Sequence, residues 1–321
     1  MMSTMLLSLM LSLVQSPAET AESAATPVAK GRIYVFESDA SGFNTKNFFY
    51  DTGSEVVVFD TQFTPEIARN AIRFLRTKTQ SPITYLVITH PNPDKFNAID
   101  EYKKAGAKVI ASEKTSAAMA GVQTYKKYYF VNLAKMFTEE AYPKLGTPDI
   151  TFKETFDLKL GNGETIALRE LKKSGVSSNQ TVAFAASANA LFVGDLVHHK
   201  AHLWLEGGIV DGKPAPNLQN WMDDLRELRS LYPAAAEVYG GRGEVAALSV
   251  AVADELQYLT QADKIVSAYV KALGVRASEL TGTEAGVHHA AIEKKLEAAF
   301  PSYQLGYLVQ YGVYGLAQSK R

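Results

Sequence analysis

Cysteine is absent from the 321 residues of this chain. That excludes disulfides, thiolate zinc sites, cysteine nucleophiles and lipid anchoring on an N-terminal cysteine. Net charge is nearly absent as well: 33 Lys and Arg stand against 34 Asp and Glu, leaving −1. A chain so balanced carries no electrostatic footprint for nucleic acid. No apolar run approaches the roughly 20 residues that span a bilayer, so stable membrane insertion is not expected. No Gly-x-Ser-x-Gly elbow, P-loop or dinucleotide fingerprint occurs in a strand-turn-helix context, which removes several enzyme classes.

With 46% hydrophobic and 21% charged residues, the chain can bury a large core. Residues 5–14, Met-Leu-Leu-Ser-Leu-Met-Leu-Ser-Leu-Val, are apolar and uncharged, and an Ala-, Ser-, Thr- and Glu-rich stretch follows to Lys30. This reads as a signal peptide over 1–16 and a disordered linker over 17–30, with export to a bacterial periplasm or beyond. A frayed cytosolic N-terminus is the alternative, because no Lys or Arg precedes the apolar run.

Strands are expected at Arg32–Ser38, Asn47–Asp51 and Glu55–Asp60, the last two joined at Thr52-Gly53. Thr64-Pro65 opens an amphipathic helix over 65–78, with Ile67, Ala71, Phe74 and Leu75 on one face. An apolar strand, Ile83–Ile88, then stops at a turn carrying His90, Asn92, Asp94 and Lys95, which Pro91 and Pro93 are expected to hold extended. A helix at 97–105 and a strand at Lys108–Ser112 complete a β-α unit. Residues 115–149 carry Tyr125, Tyr128, Tyr129, Phe130, Phe137 and Tyr142, read as core packing or as an aromatic lid.

Further strands are expected at Ile150–Leu160, Glu164–Leu171, Thr181–Ala185, Ala190–Val193 and Glu237–Tyr239, with a helix over 217–231. From Glu244 onward the pattern is helical, at 244–273, 284–299 and 301–317. Tyr303, Tyr307, Tyr311 and Tyr314 fall on one stripe of the last helix. That stripe packs on the domain or forms a homodimer contact.

The turn His90-x-Asn92-x-Asp94-Lys95 resembles the signature of the metallo-β-lactamase superfamily, His-x-His-x-Asp-His. The resemblance runs from about Asn44 to Arg242 and includes Asp60, Gly175, Gly194-Asp195 and Gly241-Arg242-Gly243 in the family's order. It implies a four-layer αββα sandwich over 31–243, with a helical C-terminal extension over 244–321. It also implies a dizinc hydrolase, in which imidazoles and carboxylates hold two metals that generate hydroxide at neutral pH. Carried over residue by residue, His90, Asp94 and Asp195 keep family ligand types, with Asp195 as the would-be bridge. Asn92, Lys95, Val176 and Arg242 stand where histidines are expected.

The changes have a physical logic. Two carboxylates in a dry pocket are costly without a cation, and Lys95 and Arg242 bring two. They also repel an incoming Zn²⁺, so no metal cofactor is expected, and catalytic residues are unassigned. His198, His199 and His202 follow Asp195 closely and should border the pocket rim. They are either solvated or hydrogen-bonded side chains, or His202 joins His90, Asp94 and Asp195 around one Zn²⁺. Anion binding at Gly240-Gly241-Arg242-Gly243 is a further option. The expected function is therefore a secreted, metal-depleted relative that binds a small molecule or protein. The alternative is a hydrolase of an ester, lactone or phosphoester with a rebuilt mononuclear site.

Overall fold

The computed structural model describes residues 31–321, so the expected signal peptide and linker lie outside the described residues. The first strands are β1 (Arg32–Glu37), β2 (Lys46–Asp51) and β3 (Val56–Phe59), followed by α1 (Pro65–Arg76) and β4 (Ile83–Val87). Thr64 caps α1 by accepting from the Ile67 N–H, and Pro65 opens its first turn, as the sequence suggests. Next come α2 (Pro93–Phe96), α3 (Ile99–Lys104), β5 (Lys108–Ser112), α4 (Glu113–Tyr128) and β6 (Ile150–Phe152). β1 to β6 form one sheet in chain order, antiparallel from β1 to β3 and parallel from β3 to β6.

A second sheet takes β7 (Thr155–Lys159), β8 (Thr165–Glu170), β9 (Thr181–Ala185) and β10 (Ala190–Gly194). A small hairpin, β11 (Gly208–Val210) and β12 (Lys213–Ala215), precedes α5 (Leu218–Leu231), and β13 (Glu237–Gly240) with β14 (Ala246–Ala247) closes the sheet. Its spatial order is β14-β13-β10-β9-β8-β7. The helices α6 (Leu248–Leu273), α7 (Ala285–Ala299) and α8 (Tyr307–Ser319) complete the chain. None of the described helices is long and apolar enough to cross a membrane.

Strand alternation builds the layers. In β2 and β3, Phe48, Tyr50, Val57 and Phe59 point between the sheets, while Phe49, Val56 and Val58 point toward α1, α3 and α4. From the second sheet, Leu168, Ala183, Ala185 and Phe192 fill the shared interior, and the rings of Phe59 and Phe192 stack at 3.8 Å. Val182, Leu191 and Val193 face the other way, onto Trp221 and Leu225 of α5 and the helices beyond. The order is helix, sheet, sheet, helix: the expected αββα sandwich with a helical C-terminal region.

Four element boundaries differ from expectation. The strand read over Ile150–Leu160 is two strands in two sheets, because the chain bends at Lys153-Glu154. Phe152, Phe156 and Leu158 all feed the space between the sheets, so the apolar pattern runs through the crossing without a visible break. Pro93 does not extend the turn; it takes the first position of α2, with Asn92 extended before it. α6 starts at Leu248, because Ala246–Ala247 pairs with β13 and carries the sheet beyond residue 243. α8 starts at Tyr307 rather than 301; Leu305 takes a positive φ of 62° and the Gln304 backbone bridges Ala201.

Candidate functional site

The loops that follow β1, β3, β4, β10 and β13 meet at one end of the sandwich. Backbone bonds tie them: Gly241 N–H donates to the Gly194 carbonyl (2.7 Å), Lys46 N–H to the Gly241 carbonyl (3.0 Å), and Thr181 N–H to the Thr89 carbonyl (2.7 Å). At their centre are four buried charged side chains. Lys95 Nζ lies 2.7 Å from Asp195 Oδ1 and 2.9 Å from Asp94 Oδ2. Arg242 donates from Nη1 to Asp195 Oδ2 (2.9 Å) and from Nη2 to Asp94 Oδ2 (3.1 Å). Its Nε donates to the Phe43 carbonyl (2.8 Å), and Nη2 also reaches Thr45 Oγ1 (3.0 Å).

Two glycines make room for this packing. A Cβ at Gly241 would lie 2.0 Å from Asp195 Oδ1 and 2.9 Å from Lys95 Nζ, displacing the ion pair. Gly194 has φ +52°, and a Cβ there would lie 2.3 Å from Thr89 Oγ1.

The charges hold one another ionised. Burial alone would raise the Asp195 carboxyl, but the Arg242 guanidinium and Lys95 ammonium outweigh it and hold it well below its ordinary value. Asp94 is lowered against the same burial by Lys95 and Arg242. Lys95 and Arg242 are raised against burial by the two carboxylates. Asp60, behind them, is pushed up to about 6 by burial, with Lys95, His90 and Thr89 opposing.

His90 is held from behind. Thr89 Oγ1 donates its single hydrogen to the Asp60 carboxylate (2.8 and 2.9 Å to its two oxygens) and so accepts from His90 Nδ1 at 2.9 Å. Nε2 on the other side of the ring is buried, without a hydrogen-bond partner, 3.6 Å from Asp195 Oδ2.

The histidines expected at the rim are not at a rim. His198 is fully buried beneath the cluster, its Nε2 3.3 Å from Asp195 Oδ1, and burial lowers its pKa against the pull of that carboxylate. His199 turns to Asp254, 3.4 Å away. His202 is buried against Tyr258, whose hydroxyl lies 2.9 Å from Nδ1, and against the Tyr303 ring. Val176 packs in the core of the second sheet and α5, beside Trp221. Among the described residues, no group of three or more His, Cys, Asp or Glu side chains is gathered as a metal ion would need.

Beside the cluster lies a small, partly open pocket of about 30 Å³. Asn92, Asp94, Asp195 and Arg242 form its polar floor, and Phe43, Phe63, Phe130 and Trp204 its walls. Phe43 and Asn44 take positive φ values of 58° and 50°, a strained pair that carries the Phe43 ring into the wall. Phe130 lies in a π-helical turn, Tyr129–Leu133, at the end of α4, so the segment read as core or lid supplies both core and wall. The tyrosine stripe of α8 packs inward: Tyr311 stacks on Trp204, Tyr307 donates to Asn44 Oδ1 (2.7 Å), and the Tyr314 and Tyr125 hydroxyls lie 2.7 Å apart.

Sequence reasoning missed Phe43, Phe63, Trp204, and the buried ion pair of Lys126 with Glu206 at the pocket wall. A lysine pair, Lys126 and Lys127, inside the tyrosine-rich 125–129 stretch was the available signal.

The family model described as the metallo-beta-lactamase superfamily matches residues 41–240. The chain belongs to the metallo-β-lactamase superfamily. Solved structures agree on the fold. A metallo-beta-lactamase from Pontibacter korlensis is 21% identical, with a TM-score of 0.53, covering 72% of this chain and 95% of its own. TMB-1 is 16% identical (TM-score 0.50; 72% of this chain, 98% of its own). The metallo-beta-lactamase DIM-1 is 15% identical (TM-score 0.51; 73% and 99%). No curated protein matches the chain.

Proposed function

We propose that this superfamily member is a non-hydrolytic binding protein in which fixed side-chain cations have taken over the electrostatic role of two metals. One observation carries the reading: both carboxylates at family ligand positions, Asp94 and Asp195, are ion-paired with Lys95 and Arg242. The residues present do not fit a dinuclear zinc. Zinc needs neutral imidazoles and unshared carboxylate oxygens, whereas here an ammonium and a guanidinium lie against both acids. Of the imidazoles, only His90 keeps a family position, and Val176 contributes no donor. The pocket beside the cluster, with its aromatic walls, is the ligand site in this reading.

The test is metal content and turnover together. Untagged protein from zinc-supplemented medium should hold well under one zinc per chain and leave ester, lactone and phosphoester substrates intact. Two zincs per chain would sink the proposal. A single zinc lost on His90→Ala, together with turnover, would favour the mononuclear hydrolase. The apolar stretch at 5–14 supports export, and the intact mass of periplasmic protein should then place the mature start within 17–30; an intact Met1 would refute it.

A further inference from the structure

We infer that the outer edge of β1 docks a second copy of this chain, the two β1 strands pairing antiparallel about a two-fold axis at Val35.

The two large sheets have four edges between them, and three are guarded. β6 is three residues long and β14 two. β7 carries Asp157 and Lys159 along its length. β1 has six residues, Arg32–Glu37, with an uncharged centre, Ile-Tyr-Val-Phe, no proline and no bulge in its register with β2. Short strands, charges, prolines and bulges are the devices that keep an edge from pairing, and β1 has only the charges at its two ends. None of its six residues is buried, whereas five of the six in β2 beside it are. Val35, near its middle, is 37% exposed.

The alternation of backbone bonds shows which groups are free. Ser38 N–H donates to the Thr45 carbonyl at 3.0 Å, one step beyond the register in which Glu37 faces Lys46. Bonded pairs alternate along an antiparallel ladder, so Phe36, Tyr34 and Arg32 also turn their backbone groups to β2. Ile33, Val35 and Glu37 turn theirs outward, and among the described residues no other backbone group meets them.

Donors and acceptors on alternate residues are the pattern that a second copy of the same edge complements. With Val35 facing Val35 of the second copy, Ile33 faces Glu37 and Glu37 faces Ile33, and each pair exchanges two N–H···O=C bonds. That register uses every free backbone group of the strand. On the helix side it sets Tyr34 opposite Phe36 in both halves, at the close, non-bonded positions where aromatic pairs stabilise a sheet. Both rings are only partly buried within the chain, Phe36 against Phe74 at 5.9 Å. Lys46 of the same chain, 3.6 Å away, neutralises Glu37 where it meets the apolar Ile33. The tyrosine stripe of α8, the other surface with the composition of a dimer contact, is spent inward on Trp204, Asn44 and Tyr125.

The lack of cysteine makes the test direct. Val35→Cys introduces a single thiol, and in this pairing the two Cα atoms on the axis lie about 5.5 Å apart, within the span of a disulfide. In oxidised glutathione, purified Val35→Cys protein should cross-link to a dimer, while Val210→Cys, on the β11 hairpin and 46% exposed in the parent, should stay largely monomeric. The parent protein should sediment as a dimer at about 100 µM. Val35→Pro removes both bonds on the axis without touching the β2 ladder, and Val35→Lys sets two like charges opposite each other. Each should weaken dimerisation about tenfold or more, with the far-ultraviolet circular dichroism of the folded chain retained. A parent that sediments as a monomer would overturn the inference. So would a dimer that survives Val35→Lys and Val35→Pro, because another surface would then hold it. Cross-linking of Val35→Cys no faster than that of Val210→Cys would overturn it as well.

Discussion

Two buried ion clusters lie within one pocket's reach, and they are built differently. In the first, Lys95 and Arg242 each bridge both Asp94 and Asp195, so every charge meets two of opposite sign. In the second, Lys126 meets one carboxylate, Glu206, which accepts from Trp204 on the same oxygen and has its other oxygen unpartnered. A closed network specifies the arrangement of the loops it joins; a network with spare acceptor capacity is available to something else. The contrast separates a closed cluster from a pair that keeps one unpartnered acceptor.

The largest effect should come from breaking the closed network. Arg242→Met leaves two buried carboxylates sharing Lys95 and should cost about 3–5 kcal/mol in urea-induced unfolding. Adding Asp195→Asn should recover part of that. Full additivity of the two losses would mean that the residues are not coupled, and the cluster would not be a cluster.

Breaking the open pair should cost less, about 3 kcal/mol for Lys126→Met, because Trp204 Nε1 still donates to Glu206. Here Lys126→Met with Glu206→Gln should recover nearly all of the loss, since Glu206 has few other bonds to forfeit. An equal or larger loss than for Arg242→Met would erase the distinction.

The smallest effect is in pH dependence. Asp60 is raised in the folded chain to about 6, so the folded state holds its proton more tightly than the unfolded state does. From this group, stability rises as pH falls from about 7 to about 4, and is lost again as pH climbs through 6. Asp60→Asn removes the effect while keeping an acceptor for Thr89. The stability of the parent relative to Asp60→Asn should therefore increase by about 1–3 kcal/mol between pH 7.5 and pH 4.5. A difference that is flat across that range would show that Asp60 is not held in the dry surroundings of the closed cluster.

Much of this was legible in the sequence because it is local. The period-two strands around Phe48, Val57 and Leu191 and the capped start of α1 at Thr64-Pro65 read directly from residue order. The partnership of Lys95 and Arg242 with Asp94 and Asp195 was legible for another reason: charge types at motif positions constrain one another wherever the loops converge. The pocket walls were not legible. Phe43, Phe63, Phe130 and Trp204 come from four segments far apart in the chain, and each alone looks like any buried ring. His198 was misplaced at the rim because sequence proximity to Asp195 does not say on which side of a loop a ring is buried.

The crossing at Lys153-Glu154 has a consequence for how the molecule is made. Every strand of the first sheet comes from residues 32–152, and every strand of the second from residues 155–247. No strand of one is borrowed from the other half of the chain. A ribosome therefore releases all the strands of the first sheet before any strand of the second has emerged. During that interval Phe48, Tyr50, Val57 and Phe59 have no opposite layer. The two sheets are tethered by two residues, and the core between them closes only when the later strands have emerged.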